Sequence, residues 1–165
     1  VSARPALYVA GTGSFAADVA EWAADCGFAV AGLVELMDAA RVGGERHGLP
    51  VAAAEDGAGL AAIGAGGDRL ALWAALEPHG WRAATLVHPR AHVSRSAVLE
   101  PGVVIGPGVV LGAAARIGAH ALLARGALVG HHTTIGAGCV LNPGANVAGN
   151  ASVGTGAAIG MGALV

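Results

Sequence analysis

The sequence predicts a small α/β domain followed by a parallel β-helix of hexapeptide repeats. Three observations predict it. Apolar runs alternate with a helical stretch over the first half of the chain. From Ala91 onward an aliphatic residue recurs at every sixth position without an insertion. The composition is small and apolar, with 55% hydrophobic residues, 28 glycines and only 12% charged residues among 165. A core with so few bulky side chains must pack closely and repetitively.

The same figures exclude several function classes. Disordered chains combine low hydrophobicity with high net charge, and here the net charge is −2. No stretch offers the roughly 20 unbroken apolar residues of a membrane span. All nine basic residues are arginines and they are scattered, so no basic patch addresses a nucleic acid. Cys26 and Cys139 are too few for a disulfide framework or a four-cysteine zinc site. His88, His92 and His120 form no ligand pattern, so no metal is expected. Two lone cysteines fit a reducing, cytoplasmic compartment. No signal-peptide or anchor pattern opens the chain.

In the first half, residues 6–10 form a short apolar run and Gly11-Thr12-Gly13 a turn. Ser14 is placed to cap a helix reaching about Cys26, which Gly27 stops. Residues 28–34 are a second apolar run, ending at Glu35. Strand, helix and strand in this order make a parallel βαβ unit. Residues 51–54 and 60–63 are weaker strand candidates. Residues 69–76 form a helix stopped near Pro78-His79-Gly80, and Thr85-Leu86-Val87 is a last strand before Pro89. The result is a small Rossmann-like α/β domain over residues 1–88.

Residues 91–165 can be written in rows of six: AHVSRS, AVLEPG, VVIGPG, VVLGAA, ARIGAH, ALLARG, ALVGHH, TTIGAG, CVLNPG, ANVAGN, ASVGTG, AAIGMG, ALV. Position three is Val, Leu or Ile in every row. Position one is Ala, Val, Thr or Cys. Positions four to six are mostly Gly, Pro, Asn or small. Short strands separated by tight corners turn the chain through a triangle, so three rows make one coil of 18 residues. Stacked coils lie about 4.8 Å apart and pair in parallel. Each position-three side chain points inward, over its equivalent 18 residues away. The chain begins without Met and stops at Val165 in mid-coil. A solenoid needs a cap, so a missing C-terminal piece or a partner is expected to cover the last rung.

A small α/β domain leading into this solenoid resembles the sialic-acid O-acetyltransferase and bacillosamine-type (PglD-like) sugar N-acetyltransferase family. The resemblance runs through Gly11-Thr12-Gly13-Ser14-Phe15-Ala16, Leu33-Val34-Glu35, Ala62-Ile63-Gly64 with Arg69 beyond it, and Thr85-Leu86-Val87-His88-Pro89. It ends in Gly130-His131-His132-Thr133-Thr134-Ile135-Gly136, where the family carries its catalytic histidine. The resemblance implies a left-handed β-helix and a homotrimer. It also implies acetyl-CoA as co-substrate, bound between adjacent solenoids, and a nucleotide-linked sugar whose nucleotide sits on the N-terminal domain. The expected activity is acetyl transfer to the amine or hydroxyl of that sugar. The competing expectation is a non-catalytic trimeric scaffold or binding module.

His131 and His132 occupy positions five and six of their row, the corner, so their side chains point outward. By resemblance His131 is the general base. The family follows it with an acidic residue that orients it and raises its basicity. Here that place is His132, which can orient by hydrogen bond but supplies no negative charge. The turn also fits G-x-G-x-x-A with Glu35 about 20 residues on. Three readings stay open for it: nucleotide-sugar binding, a structural turn and a dinucleotide site. Backbone N–H groups at the helix start suit a phosphate, and Glu35 suits a ribose. With the resemblance, Gly13, Ser14, Phe15, Glu35, Gly64 and Arg69 are the expected substrate contacts. Arg69 is either a phosphate partner or a solvated surface residue. The resemblance implies Val140, Gly160 and Met161 as cofactor contacts. The chain departs from the family's polar pattern at Phe15, Ala65, Gly66, Ala124 and Val140.

Overall fold

The structure is a computed structural model and describes residues 4–57 and 59–165. Its N-terminal part runs β1 (Ala6–Ala10), α1 (Ser14–Asp25), β2 (Ala29–Glu35), β3 (Glu45–Arg46), β4 (Leu49–Ala53), β5 (Gly59–Ile63), α2 (Arg69–Leu76) and β6 (Trp81–Ala83). The sheet order is β3-β4-β2-β1-β5-β6, parallel except for the β3–β4 edge. The chain steps outward from β1 to β2 to β4, then β5 returns to the other side of β1. The order therefore reverses beside β1, where open α/β sheets leave a crevice beyond the strands' carboxyl ends. The turn 11–13 and the loop 64–68 stand at those ends.

The solenoid has three sheets of two-residue parallel strands. The first face stacks Leu86–Val87, Val104–Ile105, Leu122–Leu123, Val140–Leu141 and Ala158–Ile159. The second stacks His92–Val93, Val110–Leu111, Leu128–Val129 and Asn146–Val147. The third stacks Val98–Leu99, Arg116–Ile117, Thr134–Ile135 and Ser152–Val153. Every pairing joins residues 18 apart. Positions one and three fill the interior, from Val103 and Ile105 up to Ala145 and Val147. Position six takes φ between +56° and +76° from Gly102 to Gly162. Glycine suits that conformation, yet Ala114, His120, His132 and Asn150 adopt it too, at a cost of about 1–2 kcal/mol for an ordinary L residue.

Among the described residues, the N-terminal part rests on the first face. Val104, Leu122 and Val140, at position two, join Val19, Ala20, Trp22 and Ala23 of α1 in one buried cluster. The helices saddle the face at its two corners. A Cβ on Gly106 would come within 2.9 Å of the Trp22 ring, and one on Gly138 within 2.7 Å of Leu70 at the start of α2. Their close approach depends on glycine at both places.

Two expectations are corrected. Leu86–Val87 pairs with Val104–Ile105 and is the first rung of the solenoid, not the last strand of the N-terminal sheet. The reason is in the sequence: Thr85-Leu86-Val87-His88-Pro89-Arg90 already obeys the hexapeptide pattern one row before Ala91. The sheet is closed instead by β6, which pairs with β5. Ser14 is the first helical residue, not the cap. Gly13 takes that place with extended backbone and no side-chain hydrogen bond.

Candidate functional site

A cleft of about 480 Å³ lies at the crevice beside β1, between the start of α1 and the first face of the solenoid. Ser14, Phe15, Val140 and Asn142 line it, together with Asp18 and Arg125. Arg125 Nη1 pairs with Asp18 Oδ2 at 3.0 Å and bridges the two parts of the molecule across its mouth. Ser14, Phe15 and Val140 are thus brought together. Gly13 adjoins them, its carbonyl 3.1 Å from His47 Nε2. Gly64 serves packing: a Cβ there would collide with Val9 and lie 3.1 Å from Ala16 Cα. Gly160 and Met161 sit on the last corner of the same column as Arg125 and Pro143, and Met161 is exposed.

His131 and His132 stand elsewhere. Their corner joins the second and third faces, so it lies opposite the face that the N-terminal part covers. The corner is pinned on both sides, with His132 N–H donating to Ala113 O below and His131 O accepting from Asn150 N–H above. Both imidazoles are exposed. Their Nδ1 atoms are 3.1 Å apart, and the rings are nearly perpendicular, at 82°. One Nδ1 must donate to the other, so the contact fixes opposite tautomers on the two rings. If His131 donates, its Nε2 keeps a free lone pair.

The expectation for Glu35 is corrected. It lines a second cleft, of about 400 Å³, with Met37, Asp38, Glu55 and His79. Its carboxylate, however, is committed to its own loop. Oε1 accepts from the N–H groups of Leu36, Met37 and Asp38, and Oε2 accepts from the Thr12 hydroxyl and faces Arg41 Nη1 at 3.5 Å. A carboxylate has about four acceptor positions, so none is left for a ribose. Burial pushes the Glu35 pKa up, but the hydrogen bonds from Thr12, Met37, Asp38 and Leu36 outweigh it and hold the pKa below the ordinary value. The unfolded chain then binds this proton at higher pH than the native one. Stability from Glu35 is present above the ordinary glutamate pKa and is lost as pH falls through the lowered one. Glu35→Gln should therefore flatten the acid side of the stability profile, read as denaturation midpoints from pH 7 downward. An unchanged acid slope would show that these bonds do not favour the ionised form.

Arg69 is corrected as well: it is neither a phosphate partner nor a solvated residue. Its side chain is fully buried where α2 meets the solenoid. Nε donates to His120 O, and Nη1 to Ile63 O and Ala65 O. Burial lowers its pKa to about 9, which leaves it charged at neutral pH. His120 stacks on Trp73 with ring centroids 4.7 Å apart. Burial, then the charge of Arg69, hold the His120 pKa below the ordinary value.

Two further contacts escaped the sequence reading. The Asp18–Arg125 pair joins residues 107 apart, and no local spacing announces it. His88 Nε2 donates to Asp25 Oδ2 at 3.0 Å while its Nδ1 accepts from Arg90 N–H, tying the end of α1 to the first rung. Among the described residues, no group of three His, Cys, Asp or Glu side chains is disposed to hold a metal ion, and no helix is long and apolar enough to cross a membrane.

No protein-family model and no curated protein matches the chain. Solved structures do. A point variant of perosamine N-acetyltransferase from Caulobacter crescentus, in complex with CoA and GDP-perosamine, superposes with a TM-score of 0.84 at 27% identity, over 99% of this chain and 89% of that one. The acetyltransferase domain of PglB from Neisseria gonorrhoeae FA1090, in complex with acetyl coenzyme A, gives 0.85 at 27% identity, over 98% and 82%. The chain is similar to hexapeptide-repeat sugar acetyltransferases of the PglD-like type. WeeI from Acinetobacter baumannii AYE, with a TM-score of 0.73 at 20% identity over 96% and 87%, shares the fold. A single copy keeps the first-face cleft and the His131 corner on opposite sides of the triangle.

Proposed function

We propose that the chain is an acetyl-CoA-dependent acetyltransferase acting on a nucleotide-linked amino sugar, with His131 as general base. One structural neighbour carries acetyl coenzyme A, and another carries CoA and GDP-perosamine. Within this chain the His131–His132 contact carries the reading. The two Nδ1 atoms are 3.1 Å apart, and the reading gives His131 the Nδ1 proton and His132 the accepting lone pair, so that Nε2 of His131 is free. That nitrogen takes a proton from the sugar amine as the amine nitrogen bonds to the thioester carbonyl carbon. When the tetrahedral intermediate collapses, the C–S bond breaks and the imidazolium returns the proton to the CoA thiolate. A hydroxyl acceptor would follow the same steps and give an O-acetyl product.

The substrate's nucleotide is assigned to the N-terminal part, which ends after β6, in a Rossmann-like setting. Its phosphate faces the uncapped start of α1. Transfer is assigned to residues 91–165, a left-handed β-helix. Val98, Val110 and Leu128 are 46, 40 and 39% exposed on the two faces that the N-terminal part leaves bare. The His131 corner lies between those faces. A homotrimer buries them and lets the cleft of one copy meet His131 of the next. The free thiols of Cys26 and Cys139 and the use of acetyl-CoA favour a cytoplasmic setting.

Incubation with acetyl-CoA and a panel of UDP-, GDP- and dTDP-linked amino sugars should release free CoA. Sedimentation at micromolar concentration should give three copies. A monomer would remove the shared site. If no sugar releases CoA and acetyl-CoA leaves the melting temperature unchanged, the chain is a non-catalytic scaffold.

A further inference from the structure

The column of position-five residues contains an anomaly. Across the twelve complete rows that position holds Arg, Pro, Ala, His, Thr or Met, and glycine only once, at Gly149. The backbone does not require it, because Gly149 is not among the glycines with positive φ. Alanine occupies the same corner position at Ala113, Ala119 and Ala137. Gly149 lies one coil above His131, 18 residues on.

The reason for the glycine is the His131 ring. A Cβ on Gly149 would stand 2.8 Å from Nε2, 3.0 Å from Cε1 and 3.1 Å from Cδ2 of His131, and these are its nearest neighbours. Real Cβ atoms essentially never come as close as the 2.8 Å to Nε2, and the other two contacts are unusually tight, so with a Cβ at 149 it is the exposed, rotatable His131 ring that would give way. The three distances also tell where the Cβ would sit. An atom in the ring plane, along the Nε2 lone pair, would be much farther from the two carbons than from the nitrogen. Near-equal distances place it on the ring's face. The Nε2 lone pair therefore stays open, while the face of the imidazole lies against the bare Gly149 backbone.

We infer that Gly149 is a positioning residue for His131: by lacking a side chain it lets the imidazole lie over the next coil with Nδ1 in reach of His132. This rests on the reading of His131 as base. A methyl group at 149 must tilt or swing the ring, which breaks the 3.1 Å Nδ1–Nδ1 contact and re-aims Nε2. Misplacing a catalytic group by about 1 Å can cost about 10²-fold in rate.

Gly149→Ala tests it. The expected result is a 10- to 100-fold lower kcat, with the KM values for acetyl-CoA and sugar within about threefold of wild type. The melting temperature should hold or rise, because alanine at an ordinary φ restricts the unfolded chain. A merely structural glycine would give the opposite pattern, a lower melting temperature with kcat retained. In a His131→Ala background, Gly149→Ala should change nothing further. Imidazole ¹⁵N shifts report the ring directly and should show the His131 tautomer released in Gly149→Ala. Unchanged ¹⁵N shifts, or wild-type kcat, would overturn the inference. So would a raised acetyl-CoA KM at constant kcat, since the glycine would then make room for cofactor. If His131→Ala itself keeps wild-type turnover, it is the base assignment that fails.

Discussion

His131→Ala is expected to lower kcat by about 10²–10⁴-fold, the usual worth of a general base, and to leave acetyl-CoA affinity nearly unchanged. A base acts on the proton that moves in the transition state, so removing it spares ground-state binding of the cofactor. The imidazole is exposed at a solenoid corner whose backbone is held by the coils above and below, so its loss should not unfold the corner. The neighbouring histidine gives the internal control. His132→Ala removes only the partner of Nδ1 and should cost less. His132→Asn should cost less still, because asparagine tolerates the φ of +58° at this position and offers a carbonyl oxygen to the same proton. If His132→Ala is the more damaging change, the proton runs the other way across the contact and His132 is the base. Near-wild-type turnover in both variants would move the chemistry away from this corner.

The solenoid was legible because one force writes it at one spacing. Every row must put an aliphatic residue inward at position three, and nothing else competes for that place. Position two carried a second signal at a period of 18 that the six-residue pattern hides. Val104, Leu122, Val140 and Ala158 are uniformly apolar, while His92, Arg116, Thr134, Asn146 and Ser152 interrupt the other faces. That difference marks the face under the N-terminal part, and the buried cluster around α1 is its consequence. The position of the first rung was also written, since residues 85–90 fit the pattern, but as a row beside Pro89 it passed for an ordinary strand end.

The site was less legible, for physical reasons that differ by residue. Glu35 has the spacing of a ribose acceptor, but spacing does not reveal that three successive N–H groups and a threonine will fold around it. Arg69 reads as a phosphate partner or a solvated cation because arginine is rarely buried whole. Its partners are carbonyls, which every residue possesses and no sequence advertises. Gly149 was invisible among 28 glycines until the ring of a residue 18 positions earlier showed what the missing Cβ makes possible.

Arg69→Ala is expected to destabilise the chain by about 3–5 kcal/mol. Two losses combine. The side chain is completely buried, so its removal leaves a cavity that the packed helix and solenoid cannot collapse. The carbonyls of Ile63, Ala65 and His120 lose their donor, and a buried acceptor without a partner costs about 1–3 kcal/mol. For a chain of this size the melting temperature should fall by roughly 10 °C. Because Arg69 ties the loop after β5 to a solenoid corner, the loss should also loosen α2 from the β-helix. Hydrogen exchange should then speed up in α2 before it does in the stacked coils. Arg69→Lys keeps a charge but not the fork that spans three carbonyls, so it should lose most of the same stability. Arg69→Met is the decisive variant. It fills much of the volume and removes a buried charge whose Nη2 has no partner among the described residues. If Arg69→Met is as stable as wild type, the three hydrogen bonds do no more than offset the guanidinium's desolvation, and Arg69 is no latch. A clear loss in Arg69→Met, smaller than in Arg69→Ala, would show that the carbonyls need their donor and that this one buried cation joins the two parts of the molecule.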